Sequence, residues 1–477
     1  MKKSTISSKG IFDNLEKFSH NLALNDDKKN KYSYKEILEF EKKFKYLKKT
    51  KSLIIIICQN NFDTISAYVS FLRLNQTVFL ISNHFDELYM LDIINRYKPK
   101  YLFFPKKFCS KKIKKNNEIK KKFEKSFFYK IKKEVNYQIN KELSLLLMTS
   151  GSTGSPQTVR LSNLNLKSNA QSIANYFKIK KKDKVVTTLP MNYALGLSII
   201  NSHLIRGASI TLTNFSIVQK QFWELINNNK INTFTGVPFT FETLKKIISV
   251  KNSFPSLKYI TQAGGKLNKD LVEYFDKFFK KKKIRFYIMY GQTEACARMS
   301  FLNYKKIKLN PESIGEVIPG GKFSIIDSNG LKINKSNVSG ELVYSGNNVS
   351  LGYAKSYKDL IRKDENNKIL KTGDIAYRNK KNLFFITGRK KRFIKINGIR
   401  ISLDSIENEF KKENLDCICT GEDNKLEIYC IKSKYSDKIF KKIVIKLQIR
   451  KSNYKLNFIN RIPRNQSGKI MYQNLKI

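Results

Sequence analysis

Between residues 52 and 105 the chain alternates apolar runs of strand length with segments of helix length. The runs are SLIIIICQNN (52–61), TVFLIS (77–82) and YLFFP (101–105), and between them lie FDTISAYVSFLRLN (62–75) and FDELYMLDIINRYKP (85–99). This rhythm of strand, helix and strand predicts a parallel, twisted sheet with helices packed on it. It resumes at KVVTTLP (184–190), ASITLTN (208–214), INTFTGVP (231–238), LKYITQAGG (257–265) and IRFYIMYG (284–291). From about residue 315 the texture changes. GKFSIIDSNG, GELVYSG and FFITGRKKRFIKING read as hairpins with Gly and Asn-Gly turns, which predicts a β-rich subdomain. The C-terminal part carries its own small α+β pattern, and no internal repeat is visible.

The length of 477 residues allows two or three domains. Charge is the unusual feature, with 92 Lys+Arg against 39 Asp+Glu and a formal net charge of +53. A nucleic-acid binder concentrates such charge on one patch or tail. Here lysine runs through the whole chain together with Asn and Ile, so compositional bias with solvated lysines is the reading, and no nucleic-acid partner is expected. The densest stretches, PKKFCSKKIKKNNEIKKKFEK (105–125) and FKKKK (279–283), alternate lysines with single apolar residues. They are expected on the outer faces of amphipathic helices.

Cysteines stand at positions 58, 109, 296, 417, 419 and 430 with no CxxC pair, and His20, His84 and His203 are isolated. No zinc site is expected. The cysteines are expected to be reduced and mostly buried, as in a cytoplasmic protein. The first residues lack an apolar signal core, and LIIIIC (53–58) is far too short to span a membrane.

Residues 149–156, TSGSTGSP, follow the apolar run LSLLLM (143–148). A strand emptying into hydroxyls and glycines can gather backbone N–H groups and side-chain oxygens around an anion. It is neither a Walker loop nor a dinucleotide fingerprint. Further on come YGQTEA (290–295), KTGDIAY (371–377), GRKKRFIKINGIR (388–400) and RNQSGKI (464–470). Each is weak singly. Together, in this order and spacing, they resemble the adenylate-forming superfamily of acyl- and aryl-CoA synthetases, luciferases and peptide-synthetase adenylation domains, over essentially the whole chain.

The resemblance implies an α/β fold. A large N-terminal AMP-binding domain (1–390), made of helix-covered mixed sheets plus a β-rich subdomain, would precede a small, mobile α+β C-terminal domain (391–477). It also implies a reaction in two halves. A carboxylate attacks the α-phosphorus of ATP to give an acyl-adenylate and pyrophosphate. A thiol, that of CoA or of a carrier protein's phosphopantetheine, then displaces AMP. Catalysis of such a transfer is mostly positioning plus electrostatic stabilisation.

By similarity, Thr149, Ser150, Gly151, Ser152, Thr153 and Gly154 would wrap the β- and γ-phosphates. Tyr290, in Tyr290–Gly291–Gln292, would stack on adenine, Thr293 would bond the α-phosphate, and Glu294 would hold Mg²⁺. Asp374 would accept both ribose hydroxyls, supported by Arg389. Lys469 would bridge the carboxylate and the α-phosphate. Lys391 occupies the hinge position, and Gly398 falls where the family lines its thiol tunnel. Tyr193, Gly264 and Gly265 stand where the family lines the acyl pocket.

Departures from the family pattern bear on activity and substrate. The loop continues Pro156–Gln157–Thr158 where the family has Pro-Lys-Gly, so a point charge near the terminal phosphates is missing. Tyr193 replaces a common histidine. No acidic residue lies between Lys184 and Glu224, which disfavours an α-amino acid as substrate. Lys266 is expected to face solvent or to pair with a second anionic group, and Ser402 stands where the family has a glutamate. The expected function is an ATP-dependent carboxylate ligase acting on a non-amino-acid carboxylic acid, with CoA or an acyl-carrier protein as acceptor. The alternative is a catalytically impaired nucleotide-binding pseudoenzyme with a regulatory or scaffolding role.

Overall fold

The run LIIIIC becomes the strand Leu53–Cys58, and every one of its residues is buried. Alternate side chains of a strand point to opposite faces. Leu53, Ile55 and Ile57 enter one apolar core, while Ile54, Ile56 and Cys58 enter another. A strand covered on both faces has no use for a polar alternate position, which is why the run is continuous. The computed structural model describes residues 10–84, 87–108, 117–149, 157–247, 254–390, 392–396, 399–431, 436–446, 449–464 and 470–475.

The chain divides into two units. The first, spanning residues 1–151, 156–322 and 345–370, is built on two sheets. Within the eight-stranded sheet, Leu53–Cys58 lies parallel to both Thr77–Ser82 and Tyr101–Pro105, and Thr77–Ser82 lies parallel to Leu143–Thr149. The nine-stranded sheet runs parallel through Lys184–Thr187, Thr233–Gly236, Tyr259–Gln262 and Arg285–Tyr290, then turns antiparallel at Ser300–Leu302. Strands of both sheets send side chains into one core, Ile54, Val78 and Leu147 from the first and Val185, Ile210 and Leu212 from the second. The helices Phe62–Arg73 and Ala194–Leu204 contribute Ile65, Phe71, Leu197 and Ile200 to the same core. Asn61 starts the first of these helices, its side chain accepting from Thr64 N at 2.9 Å.

One lysine-rich stretch departs from expectation. Residues Asn117–Lys122 form an edge strand of the eight-stranded sheet, paired antiparallel with Ser126–Ile131, and not a helix. The pattern of lysines and single apolar residues satisfies an exposed edge, where lysines oppose pairing with another chain. Residues 109–116 of that stretch lie outside the described residues. In contrast, Lys280 and Lys281 close the amphipathic helix Lys269–Lys281, as expected.

The second unit spans residues 152–155, 323–344 and 371–477. It holds most of a four-stranded sheet of Gly321–Ile326, Gly340–Gly346, Ile369–Arg378 and Phe384–Arg389. The strands Phe393–Ile396 and Ile399–Ser402 pair antiparallel. Cys417–Glu422, Lys425–Ile431 and Tyr454–Ile459 make a three-stranded sheet. The helix Leu403–Lys412 buries Leu403, Ile406 and Phe410, one stripe of a 3.6-residue period, in a core with Leu426, Ile428 and Phe440. Ser402 is the N-cap of this helix, accepting from Ser405 N at 3.4 Å, so a hydroxyl here supports the helix start.

The cysteines correct a second expectation. Cys417 and Cys430 face each other across paired strands with Cα atoms 4.2 Å apart, and they form a disulfide. Their separation of 13 residues carries no motif; the hairpin register brings them together. Cys58, Cys296 and Cys419 are free and buried, in agreement with expectation.

Candidate active site

The strand Arg285–Tyr290 delivers the chain to Gly291 and Gln292, and Thr293–Ala295 form a short 3₁₀ turn. The segment folds back on itself. Ala297 N donates to Gln292 O at 3.0 Å, and Met299 N donates to Tyr290 O at 2.9 Å. Cys296 and Ala297 take φ values of 56° and 95°, in the left-handed region that side chains seldom enter. Gly291 makes the reversal possible, since a Cβ there would stand 1.5 Å from Ala297 O. Residues 347–350 brace the turn from outside. Ser350 N donates to Glu294 O and Asn348 Nδ2 to Ala295 O, both at 2.8 Å. Asn165 Nδ2, at the start of the helix Asn163–Tyr176, holds that brace through Val349 O at 2.6 Å. Thr293 and Glu294 are thereby presented half-buried on a fixed backbone.

The strands Leu143–Thr149 and Gln157–Ser162 pair antiparallel, with Thr149 opposite Gln157 at the mouth of the hydroxyl-rich loop. Ser150, Gly151, Ser152, Thr153 and Gly154 lie outside the described residues. Gly352–Ala354 pairs with the second of these strands, placing Tyr353 opposite Val159. Tyr353 Oη donates to Glu294 Oε1 at 2.9 Å. The stem of the loop and the Tyr290–Glu294 segment therefore meet through a residue that no motif pointed to. Its signal is tertiary: Tyr353 stands some sixty positions from Glu294, and only strand pairing brings it near.

Gly264 and Gly265 follow the strand Tyr259–Gln262, and Gln262 Nε2 donates to Gly265 O at 2.8 Å. The position a Cβ would take on Gly264 is 3.1 Å from Val237 Cγ1 and 3.6 Å from Leu195 Cδ2. Leu195 lies in the first turn of the helix Ala194–Leu204, of which Tyr193 is the N-cap residue. The expected acyl-pocket residues Tyr193 and Gly264 are thus on neighbouring elements, with apolar side chains between. Lys266 is exposed to solvent, as expected, and there pairs with Glu312 at 3.3 Å.

In the second unit, Asp374 and Arg389 are register partners on the strands Ile369–Arg378 and Phe384–Arg389. Arg389 Nε donates to Asp374 Oδ1 at 2.8 Å, and Asp374 is only 2% exposed. Lys390 pairs with Glu341 at 2.9 Å. Arg392 pairs with both Asp404 and Glu407 at 2.5 Å and stacks on the Tyr472 ring at 4.3 Å. Lys391, Gly398 and Lys469 lie outside the described residues.

Among the described residues, no group of three or more His, Cys, Asp and Glu side chains gathers as a metal cage. Mg²⁺ does not require one, being held commonly by one or two carboxylates plus the phosphates of its nucleotide. Glu294, with one carboxylate oxygen already oriented by Tyr353, fits a site of that kind. No helix among the described residues is long and apolar enough to cross a membrane.

A family profile for AMP-binding enzymes matches residues 11–354. Oxalate–CoA ligase of Saccharomyces cerevisiae is 27% identical over 346 residues, 69% of this chain and 62% of that protein. D-alanine–D-alanyl carrier protein ligase of Bacillus licheniformis is 27% identical over 277 residues, 56% of this chain and 54% of that protein. The chain thus spans between half and two thirds of the length of these relatives. O-succinylbenzoate coenzyme A synthetase from Bacillus subtilis, solved with its acyl-adenylate intermediate, superposes with a TM-score of 0.78 at 19% identity over 98% of both chains. Solved with ATP and magnesium ion, it superposes with a TM-score of 0.76 at 20% identity, covering 97% of this chain and 99% of that one. With a profile match across most of its length, the chain belongs to the family of AMP-binding enzymes.

Proposed function

We propose that this protein is an ATP-dependent, AMP-forming ligase that activates a non-amino-acid carboxylic acid and passes the acyl group to a thiol. The observation that carries this reading is the braced Thr293–Glu294 turn, whose side chains stand half-buried beside the stem of the hydroxyl-rich loop. Thr149 through Gly154 would take the terminal phosphates, Tyr290 the adenine, and the Thr293 hydroxyl the α-phosphate. Asp374, buried and already oriented by Arg389, has the acceptor-only chemistry that two ribose hydroxyls need. Lys469 would neutralise charge developing between the substrate carboxylate and the α-phosphate. When bound, Mg²⁺ would supply charge neutralisation to the phosphates, with Glu294 as its protein ligand.

The substrate reading rests on what surrounds Gly264. Leu195 and Val237 suit an apolar acyl or aryl chain. Lys266 is exposed and pairs at the surface with Glu312, so nothing reserves it for a second carboxylate. The acceptor is CoA or a carrier-protein phosphopantetheine, and a basic chain suits docking of an acidic carrier. We place the swivel between an N-terminal part, 1–390, and a C-terminal part, 391–477, at Lys391, with Gly398 on the thiol path. The test is AMP formation from ATP, an apolar acid and a thiol. Both acid and thiol should be needed for sustained turnover, and AMP released at equal rates without either would refute the reading.

A further inference from the structure

Arg160 is among the largest wholly buried side chains of the protein, and its guanidinium is spent on one segment. It donates to the backbone oxygens of Leu351 at 2.7 Å, Tyr353 at 3.1 Å, Arg362 at 2.6 Å and Lys363 at 3.3 Å, and it pairs with Glu365 at 2.6 Å. Arg160 O also accepts from Leu351 N at 2.8 Å. A planar fork with five donors can fix several carbonyls at once, which a lysine cannot. Burying a cation is costly unless its bonds are made, and these bonds tie the backbone at Leu351 and Tyr353 to that at Arg362 and Lys363.

Gly352 sits within the clamp. Its φ is +113°, and a Cβ there would lie 2.3 Å from Glu365 Oε2 and 3.0 Å from an Arg160 terminal nitrogen. Only glycine lets the chain pass over the ion pair at this point. The next residue is Tyr353, and its side chain reaches across to Glu294 Oε1 at 2.9 Å. A carboxylate oxygen can only accept here, so the Tyr353 hydroxyl is the donor.

We propose that Tyr353, held by the Arg160–Glu365 clamp, is a positioning residue that sets the orientation of the Glu294 carboxylate for a divalent cation. The inference rests on Glu294 being the cation ligand. The hydroxyl occupies one carboxylate oxygen and fixes the rotamer, so the other oxygen is aimed before any cation arrives. Groups that orient a metal ligand in this way commonly account for tenfold or more of metal affinity. The clamp, with its Arg160 guanidinium wholly buried, keeps Tyr353 in place.

The test is Mn²⁺ binding, followed by electron paramagnetic resonance with the full chain and the non-hydrolysable α,β-methylene-ATP present. It would compare the wild type with Tyr353→Phe, Glu294→Gln and the double variant. Tyr353→Phe removes one oxygen and should leave the melting temperature nearly unchanged. It is expected to weaken Mn²⁺ binding about tenfold, and the double variant should bind no more weakly than Glu294→Gln alone. Mn²⁺ binding unaltered in Tyr353→Phe but weakened in Glu294→Gln would overturn the positioning role while sparing the ligand role of Glu294. A loss in Tyr353→Phe that adds in full to that of Glu294→Gln would also overturn it. Unaltered binding in Glu294→Gln would remove the ligand reading itself.

Discussion

Asp374 and Arg389 stand opposite each other on paired strands, with Arg389 Nε donating to Asp374 Oδ1 at 2.8 Å. The carboxylate is 2% exposed and the arginine half exposed, so the acid is buried and its partner reaches it from solvent. A buried carboxylate already oriented by an arginine has the acceptor chemistry that sugar hydroxyls need. Asp374→Ala should weaken ATP binding by roughly tenfold to a hundredfold, the worth of one or two charge-assisted hydrogen bonds. The check is calorimetric titration with ATP and 2′-deoxy-ATP. Asp374→Ala should bind the two equally, and a preserved preference for ATP would remove Asp374 from the ribose site.

Gln157 opens the strand that leaves the hydroxyl-rich loop, opposite Thr149 and exposed. It donates a hydrogen bond without carrying charge. Gln157→Lys should add a point charge near the terminal phosphates and lower the KM for ATP several-fold, for about 1 kcal/mol. The gain should shrink at high salt, since exposed charges are screened. Steady-state kinetics at two ionic strengths would check both statements.

Much of the first unit is legible in the sequence because its strands are covered on both faces. TVFLIS and YLFFP match observed strands end for end, Thr77–Ser82 and Tyr101–Pro105. The lysine-rich edge strand Asn117–Lys122 is not legible, because an exposed edge leaves no apolar periodicity to separate it from a surface helix. Thr293, Glu294, Asp374 and Arg389 stand in contiguous motifs and can be picked out directly. Tyr353 and Arg160 cannot, since each acts through strand pairing with residues far away in the chain. The Cys417–Cys430 bond is hidden for the same reason, being a matter of hairpin register.

His203 offers a pH prediction. It is wholly buried near the end of the helix Ala194–Leu204, where Nδ1 donates to Ile199 O at 2.8 Å. Nε2 has no hydrogen-bond partner among the described residues. Burial lowers its pKa from 6.5 to about 4. Between these values the unfolded chain binds a proton that the folded chain refuses. Stability should therefore fall as pH drops from 6.5 toward 4, by up to about 3 kcal/mol from this group. Thermal melts from pH 7 to pH 4 should show a shallower decline in His203→Gln than in the wild type. An equal decline in both would assign the acid sensitivity elsewhere.

The disulfide closes a loop of 13 residues in the second unit. Loop-closure entropy puts its contribution at about 3 kcal/mol. Cys430→Ser, or a thiol reductant, should lower the melting temperature of that unit and leave the first unit's transition in place. Calorimetry resolving two transitions would check it, and a shift confined to the first transition would contradict the division into units.

Adenylation of a carboxylic acid should show itself as acid-dependent exchange of labelled pyrophosphate into ATP with Mg²⁺, measured across apolar fatty and aryl acids, hydroxy acids and amino acids. Lys469→Ala serves as the control. Exchange is expected with one class of non-amino acid, not with amino acids, and it should be lost in Lys469→Ala. Measurable ATP binding with no exchange for any acid would refute adenylation by this chain and point to Gln157 as the departure responsible.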